Sequence, residues 1–151
     1  MGGPTRMARM PIETGKIREY ARATQNVAPP YLAEKRAPIT PTFLSSVVFW
    51  ENLTDCITSP EAREACRALG IEPDARSLLS LEQEYVFHGR IPRAGDVLET
   101  RTRFDGVEVK ERSRGSMLMM HFAVEFLGEQ GELRAECLYT SAYLSDTGGE
   151  S

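Results

Sequence analysis

The chain has 151 residues and a formal net charge of −4 at pH 7, with 41% hydrophobic and 26% charged residues. A chain of this length most often forms one domain around one hydrophobic core, and this one has no basic excess with which to neutralise a nucleic-acid backbone. The three cysteines, Cys56, Cys66 and Cys137, have spacings typical of neither a metal site nor a redox dithiol. We therefore expect reduced thiols in the cytoplasm, with no bound metal or other cofactor.

Both ends of the chain look unstructured. Residues 1–9 lack the continuous apolar run of a signal peptide, and residues 146–151 are small and polar. We predict one domain over residues 10–145 between two disordered termini, with no membrane association.

The first part of the domain should contain a short strand and a helix. Residues 10–13 fit an edge strand, and Thr14 is placed to cap a helix in which Ile17, Tyr20, Ala21 and Thr24 recur at helical spacing. Residues 25–38 carry three prolines and no periodicity, which predicts an ordered loop.

The most apolar stretch, residues 40–57, predicts one long buried helix. Thr40 is placed to cap it, and Pro41 suits its first turn. Apolar residues cover most of its circumference, so it needs protein on nearly every side. They are Phe43, Leu44, Val47, Val48, Phe49, Trp50, Leu53 and Ile57.

A second, more polar helix should follow. Ser59, Pro60 and Glu61 provide the preferred cap, proline and first-turn acid, and Gly70 provides the stop.

From Leu78 onward the apolar residues alternate with period two, which predicts strands. The predicted strands cover residues 79–88, 97–104, 116–127 and 133–144. Residues 93–96, 110–115 and 128–131 have turn composition, and the resulting sheet should be antiparallel.

One apolar helix followed by long antiparallel strands favours an α+β fold. In this fold, the hot-dog fold, a curved antiparallel sheet wraps a long central helix within a single domain. The sheet leaves an edge strand, which such domains commonly bury across a dimer, so we expect a dimer.

Four segments resemble the MaoC-like dehydratase, or (R)-specific enoyl hydratase, family. The segments are residues 15–24, 37–43, 93–96 and 128–143. Their order is similar to that of the branch found as the amino-terminal, FAS1-like half of double hot-dog dehydratases. The resemblance runs from about residue 10 to residue 145. It implies the reversible dehydration of (3R)-hydroxyacyl thioesters, carried on coenzyme A or acyl carrier protein, to trans-2-enoyl thioesters.

In active members of that family an Asp and a His act as acid and base, in the pattern Gly-Asp, one residue, Asn-Pro, one residue, His. The corresponding stretch here is Gln25-Asn-Val-Ala-Pro-Pro-Tyr31, so the resemblance puts Asn26 at the Asp position and Tyr31 at the His position. An amide does not accept a proton near neutral pH, and an unperturbed phenol with a pKa of about 10 is a poor base. As written, the pair should not catalyse hydration.

The resemblance therefore implies a non-catalytic subunit that binds the acyl group beside a catalytic hot-dog subunit, in a heterodimer or heterotetramer, or in a homodimer. Asn26 and Tyr31 would line a pseudo-site. Thr40, Thr42 and Phe43, at the start of the central helix, would help form the acyl channel.

Two other functions remain open. The first is a stand-alone hydratase or acyl-CoA thioesterase with a non-standard site, using Glu51 or Asp55 on the central helix. The second is an acyl-thioester-binding or scaffold module with no chemistry.

The remaining polar candidates have ordinary structural interpretations. His88 and His121 lie on predicted strands unlike the family's site and are more simply satisfied or exposed side chains. Four arginines at strand ends have the chemistry to meet phosphates but are also typical of a solvated rim. They are Arg90, Arg93, Arg112 and Arg114.

Overall fold

The computed structural model describes residues 7–145. Its centre is a five-stranded antiparallel sheet with the strand order β1-β3-β4-β5-β2, so β1 and β2 form the two edges. The strands are β1 (Ala8–Pro11), β2 (Leu79–Phe87), β3 (Val97–Glu111), β4 (Ser116–Leu127) and β5 (Leu133–Ser145). The predicted α+β class and antiparallel sheet are confirmed.

The helices are short and lie between β1 and β2 in the chain. The α-helices are α1 (Thr14–Ala23), α2 (Pro29–Ala33), α3 (Thr54–Ile57) and α4 (Pro60–Ala68). A 3₁₀ helix spans Phe43–Phe49, and we call it the central 3₁₀ helix; a second one spans Ala75–Ser77.

The chain divides into two compact units. The first contains the described residues up to Asn52 with residues 85–101 and 124–137, and the second contains residues 53–84, 102–123 and 138–145. In the first unit, apolar residues of α1, the central 3₁₀ helix and the strand segments are at most 3% exposed. They include Ile17, Ala21, Phe43, Leu44, Val47, Leu98 and Phe126.

The second unit has its own buried set. Ser59 caps α4 by accepting a hydrogen bond from the amide of Ala62 at 3.3 Å, as the sequence predicted. The helix thereby buries Ala62 and Cys66 and leaves its charged residues outward. Tyr143 of β5 is 1% exposed and packs in the same unit.

The single helix predicted over residues 40–57 is wrong in its continuity. The chain forms the central 3₁₀ helix, leaves helical structure after Phe49, and resumes as α3. Two local features oppose an α-helix here: consecutive Val47 and Val48 lose side-chain freedom in one, and Ser46 Oγ donates to the carbonyl of Phe43 at 2.8 Å. The prediction that this segment is buried on all sides was also wrong, because Val48 is 54% exposed and Phe49 is 83% exposed.

Smaller differences concern the element ends. β1 begins at Ala8, so Ala8 and Arg9, assigned from sequence to the disordered amino terminus, are in a strand. Of the rest of that prediction, Met7 is described and precedes the strand, while residues 1–6 lie outside the described residues. The predicted disordered tail, residues 146–151, lies outside them as well. Helix α1 begins at Thr14 with Glu13 as its cap residue, and Thr14 instead donates to the carbonyl of Lys35.

Two strands also depart from the prediction. β3 continues to Glu111, seven residues beyond the predicted end at Phe104. The long strand β4, its hydrogen-bonded neighbour in the sheet, supports this extension. The first half of β2 is exposed on both faces, with Leu79 at 45% and Leu81 at 48%.

Candidate functional site

A largely apolar cavity of about 500 Å³ opens in the first unit. Residues of β1, α1 and the end of the central 3₁₀ helix line it: Met10, Pro11, Lys16, Glu19, Tyr20, Ala23, Phe43, Ser46, Phe49 and Trp50. We call it the aromatic cavity, since four of its lining side chains carry aromatic rings.

The periodicity of two helices explains this lining. On α1, residues 16, 19, 20 and 23 lie on one face of an α-helix, while Ile17 and Ala21 point into the core. On the central 3₁₀ helix, Phe43, Ser46 and Phe49 are three residues apart and therefore lie in one row. The exchange of an α-helix for a 3₁₀ helix thus aligns Phe49 with Phe43 along the cavity.

Tyr20 joins the two helices at the wall of the cavity. Its ring meets that of Phe43 edge to face, with centroids 5.6 Å apart and planes at 76°. Its hydroxyl lies 2.9 Å from both the carbonyl oxygen and Oγ1 of Thr42, and 3.1 Å from Ser45 Oγ. The phenol can donate to the Thr42 carbonyl and accept from one of the two side-chain hydroxyls.

A second tyrosine connects this cluster of hydroxyl groups to the sheet. Tyr85 of β2 hydrogen-bonds to Ser45 and to Cys137 of β5. Burial first, and then the neighbouring Cys137, raise the pKa of the Tyr85 phenol well above its ordinary value. Tyr85 therefore stays protonated and acts as a hydrogen-bond partner rather than as a base.

The charged side chains that line the aromatic cavity neutralise each other. Lys16 Nζ lies 3.1 Å from Glu19 Oε2, and both side chains are largely exposed at the rim. Within this lining, as the structure describes it, Glu19 is the one carboxylate, it is paired with Lys16 at the exposed rim, and no histidine is present.

The residues predicted from sequence occupy different surroundings. Phe43 lines the aromatic cavity, and Thr42 is bound to Tyr20 at its edge. Thr40 is 1% exposed, and its Oγ1 has no hydrogen-bond partner among residues 7–145. Asn26 follows α1, and Tyr31 lies on α2; both are half-buried and neither lines the cavity. Their part in a pseudo-site stays a prediction.

The carboxylates of the thioesterase alternative lie outside the cavity lining as well. Glu51 accepts a hydrogen bond from the buried Thr100 Oγ1 at 2.6 Å, and Asp55 is an exposed residue in the first turn of α3. Both positions have clear structural roles, one in satisfying a buried hydroxyl and the other near a helix amino terminus.

The two histidines each have polar partners. His88 Nε2 lies 2.8 Å from Glu136 Oε2 in the first unit. In the second unit, His121 Nδ1 lies 3.3 Å from Thr140 Oγ1, with Glu108 3.8 Å from Nε2. Among the described residues, no group of three or more His, Cys, Asp or Glu is arranged to hold a metal ion.

Sequence reasoning missed most of the cavity wall. Tyr20 was identified only as one of the residues that recur at helical spacing, and Phe49 and Trp50 were assigned to a fully buried helix. The one signal of a second face on α1 is Tyr20, a large ring on the same face as Lys16, Glu19 and Ala23.

The family to which the chain belongs follows from its sequence. The profile of the family described as "FAS1-like, dehydratase domain region" matches residues 1–136. The chain therefore belongs to that family, a group of MaoC-like hot-dog dehydratases. No curated protein sequence matches it significantly.

Solved structures share the fold. The ChsH1-ChsH2 complex from Mycobacterium tuberculosis aligns with a TM-score of 0.71 at 15% identity, covering 99% of this chain and 87% of that one. The C-terminally truncated HadBC (3R-hydroxyacyl-ACP dehydratase) complex from the same organism has a TM-score of 0.62 at 16% identity, covering 94% and 98%. A MaoC-like dehydratase from Rhodospirillum rubrum has a TM-score of 0.58 at 14% identity, covering 95% and 94%. These similarities confirm the predicted hot-dog fold.

No helix in the described part of the chain is both long enough and apolar enough to cross a membrane.

Proposed function

We propose that this chain is the acyl-binding, non-catalytic subunit of an (R)-specific 3-hydroxyacyl-thioester dehydratase, equivalently a 2-enoyl-thioester hydratase. Its substrate would be an acyl group carried on coenzyme A or acyl carrier protein. One observation carries the proposal: the aromatic cavity offers apolar walls for an acyl tail, while its two charged lining groups, Lys16 and Glu19, pair with each other.

The chemistry explains why such a cavity binds without reacting. Hydration of a 2-enoyl thioester needs a base to activate water and an acid to protonate the enolate carbon, both within hydrogen-bond reach. The sequence resemblance implies these roles at the positions of Asn26 and Tyr31, whose side chains are poor proton carriers. The acyl tail would pass Phe43 and Thr42, with Thr40 behind them as an unsatisfied hydroxyl at the start of the channel.

A partner subunit would supply the acid and base. Two structures with the same fold are named as the ChsH1-ChsH2 and HadBC complexes, which supports a hetero-oligomeric arrangement. The exposed edge strand β2 offers a surface for such pairing, because Leu79 and Leu81 stand open on it. A homodimer would use the same edge.

We place the protein in the cytoplasm. Its three cysteines are buried and form no disulfide, which suits a reducing compartment in which acyl thioesters are metabolised.

The test separates binding from turnover. The purified chain should bind octanoyl coenzyme A, measured by calorimetry, and should not hydrate crotonyl coenzyme A or release free thiol from either thioester. Addition of a paralogue with the intact Asp and His should give hydration. Rapid hydration or thiol release by the chain alone, lost on Asn26→Ala or Tyr31→Ala, would contradict the proposal.

A matched pair of variants tests the cavity. Phe49 lines it and is 83% exposed, so Phe49→Ser should weaken octanoyl coenzyme A binding without unfolding the protein. Val48 is a neighbouring exposed residue outside the lining, so Val48→Ser should leave binding unchanged. Equal effects of the two substitutions would place the acyl tail elsewhere.

A further inference from the structure

A second concave site in the first unit has a different character. This recess of about 490 Å³ lies between the β2–β3 and β4–β5 connections and is lined by His88, Gly89, Arg90, Glu132, Leu133 and Arg134. Its lining includes two arginines and one histidine. We call it the basic recess.

Arg134 makes the recess rigid. The residue is 8% exposed, and its Nε and Nη2 both donate to the carbonyl oxygen of Arg90, at 3.2 and 3.0 Å. Gly89 adopts φ +68°, a left-handed conformation that favours glycine and turns the chain just before Arg90. The position of the Arg90 backbone is thus fixed by a buried side chain.

Several donors of the recess remain available. The Arg90 guanidinium is exposed and has no hydrogen-bond or ion-pair partner among the described residues. Arg134 Nη1 has Glu132 3.8 Å away, which is beyond hydrogen-bond distance. His88 contacts Glu136 through Nε2, which leaves Nδ1 as a further N–H when the ring is protonated.

The neighbouring carboxylates are already engaged. Asp96 accepts from Arg36 Nη2 at 3.0 Å and from the amide of Arg93 at 2.9 Å, and lies 3.5 Å from Arg134. Glu136 faces His88, and Glu132 Oε2 accepts from the amide of Gln130 at 3.0 Å. Glu132 alone of these three acids lines the recess, where it opposes an entering anion.

We infer that the basic recess binds the phosphate of the arm that carries the acyl thioester, with Arg90 as the main cation. Arginine suits this role because its planar fork donates two parallel hydrogen bonds to phosphate oxygens. The inference rests on the proposed function for the identity of the arm, but the phosphate chemistry comes from the recess itself.

The two sites are joined through one short stretch of backbone. Asp96, which contacts Arg134, accepts the amide of Ile12 with its carbonyl at 2.9 Å, and Ile12 follows Pro11 of the aromatic cavity. One hydrogen bond, through the buried Ile12, therefore links the backbone beside the recess to the backbone beside the cavity.

The test uses three octanoyl thioesters that differ in phosphate content. Octanoyl-N-acetylcysteamine has no phosphate, octanoyl-4′-phosphopantetheine has the one found on a carrier protein, and octanoyl coenzyme A has the additional nucleotide phosphates. Arg90→Gln should weaken binding of the two phosphate-bearing thioesters about fivefold and leave the first unchanged. A loss confined to octanoyl coenzyme A would overturn the inference, because it would assign the recess to the nucleotide phosphates and not to the phosphate of the arm.

One further variant tests the direction of the charge effect, and another serves as the control. Glu132→Gln should tighten binding of the phosphate-bearing thioesters, because it removes the opposing charge. Arg114→Gln removes an exposed arginine from the β3–β4 turn in the second unit and should change no affinity. Equal weakening of all three thioesters by Arg90→Gln, or no effect of either recess substitution, would overturn the inference.

If the aromatic cavity does not bind an acyl group, the result differs from that expected if the basic recess does not bind phosphate. If octanoyl-N-acetylcysteamine does not bind, the proposed function fails, while free coenzyme A still tests the recess through the same substitutions. If neither free coenzyme A nor a phosphate-bearing thioester binds, the recess is not a phosphate site.

Discussion

Tyr20 combines two roles at the residue scale. Its ring lines the aromatic cavity and packs against Phe43, while its hydroxyl connects α1 to Thr42 and Ser45. The hydroxyl contacts help to hold the ring in place beside an open cavity. Tyr20 therefore determines both local stability and the shape of the cavity wall.

Tyr20→Phe should lower the free energy of unfolding by about 1 kcal/mol, because it removes the hydroxyl contacts and keeps the ring. Urea denaturation measures the change. Tyr31→Phe is the matched control, as the Tyr31 hydroxyl has no hydrogen-bond partner among the described residues, and it should change stability little. Equal losses in the two variants would show that the Tyr20 hydrogen bonds contribute no net stability.

Tyr85 should make stability depend on alkaline pH. Burial raises its pKa in the folded state above the ordinary 10.0, so the unfolded chain loses this proton first as the pH rises. Stability from this group is fully present below about pH 10 and declines above it. Between about pH 8 and pH 10.5, the free energy of unfolding should fall more for the native chain than for Tyr85→Phe. Parallel slopes would contradict the shift.

At the scale of elements, the central 3₁₀ helix decides how the cavity is lined. In an α-helix each step of three residues falls about 60° short of a full turn, so Phe49 would lie about 120° around the axis from Phe43. The 3₁₀ helix, with three residues per turn, keeps Phe43, Ser46 and Phe49 aligned. The β-branched pair and the Ser46 hydrogen bond favour this tighter form locally. The element that looked like a buried rod is instead a short wall with one open side.

Two glycines should respond to alanine with opposite signs. Gly131, in the β4–β5 turn, has φ +76°, so Gly131→Ala should cost about 1 to 2 kcal/mol. Gly15 lies in α1 with open space around its Cα, so Gly15→Ala should raise stability by about 0.5 kcal/mol. Thermal or urea unfolding of both variants gives the comparison. Stabilisation by Gly131→Ala would show that the turn relaxes out of its left-handed conformation.

At the scale of the whole molecule, the sheet has one edge strand with exposed apolar residues. β2 is an edge strand of nine residues, and its first six positions are exposed. Proteins usually cover or charge such an edge; here Glu82 and Glu84 charge part of it, while Leu79 and Leu81 leave apolar surface exposed. The edge is therefore the surface at which we expect a second hot-dog subunit.

Leu81→Lys should weaken assembly while leaving the fold intact, because a charge at an exposed position disfavours apolar pairing but costs the monomer little. Light scattering coupled to size exclusion measures the mass of the chain alone and with its paralogue. Val107→Lys, at a 41% exposed position of β3, is the matched control. A mass unchanged by Leu81→Lys would exclude this edge as the assembly surface.

Local signals in the sequence were enough for much of the secondary structure. The cap, proline and acid at residues 59–61 define the start of α4, and period-two alternation defines β4 and β5 nearly to the residue. These signals act over a few neighbouring residues, so they hold in any tertiary setting. They also supported the hot-dog class and the family, both of which are confirmed.

Tertiary structure alone decided which apolar faces are covered. Phe49 and Leu81 have the same sequence character as buried Phe43 and Leu98, but they are exposed because no element of the described chain packs over them. The aromatic cavity likewise combines β1, α1 and the central 3₁₀ helix, and the basic recess brings Arg90 against Arg134 across distant turns. Periodicity along a chain tells which side of an element is apolar; only long-range packing determines whether that side meets a core, a ligand cavity or solvent.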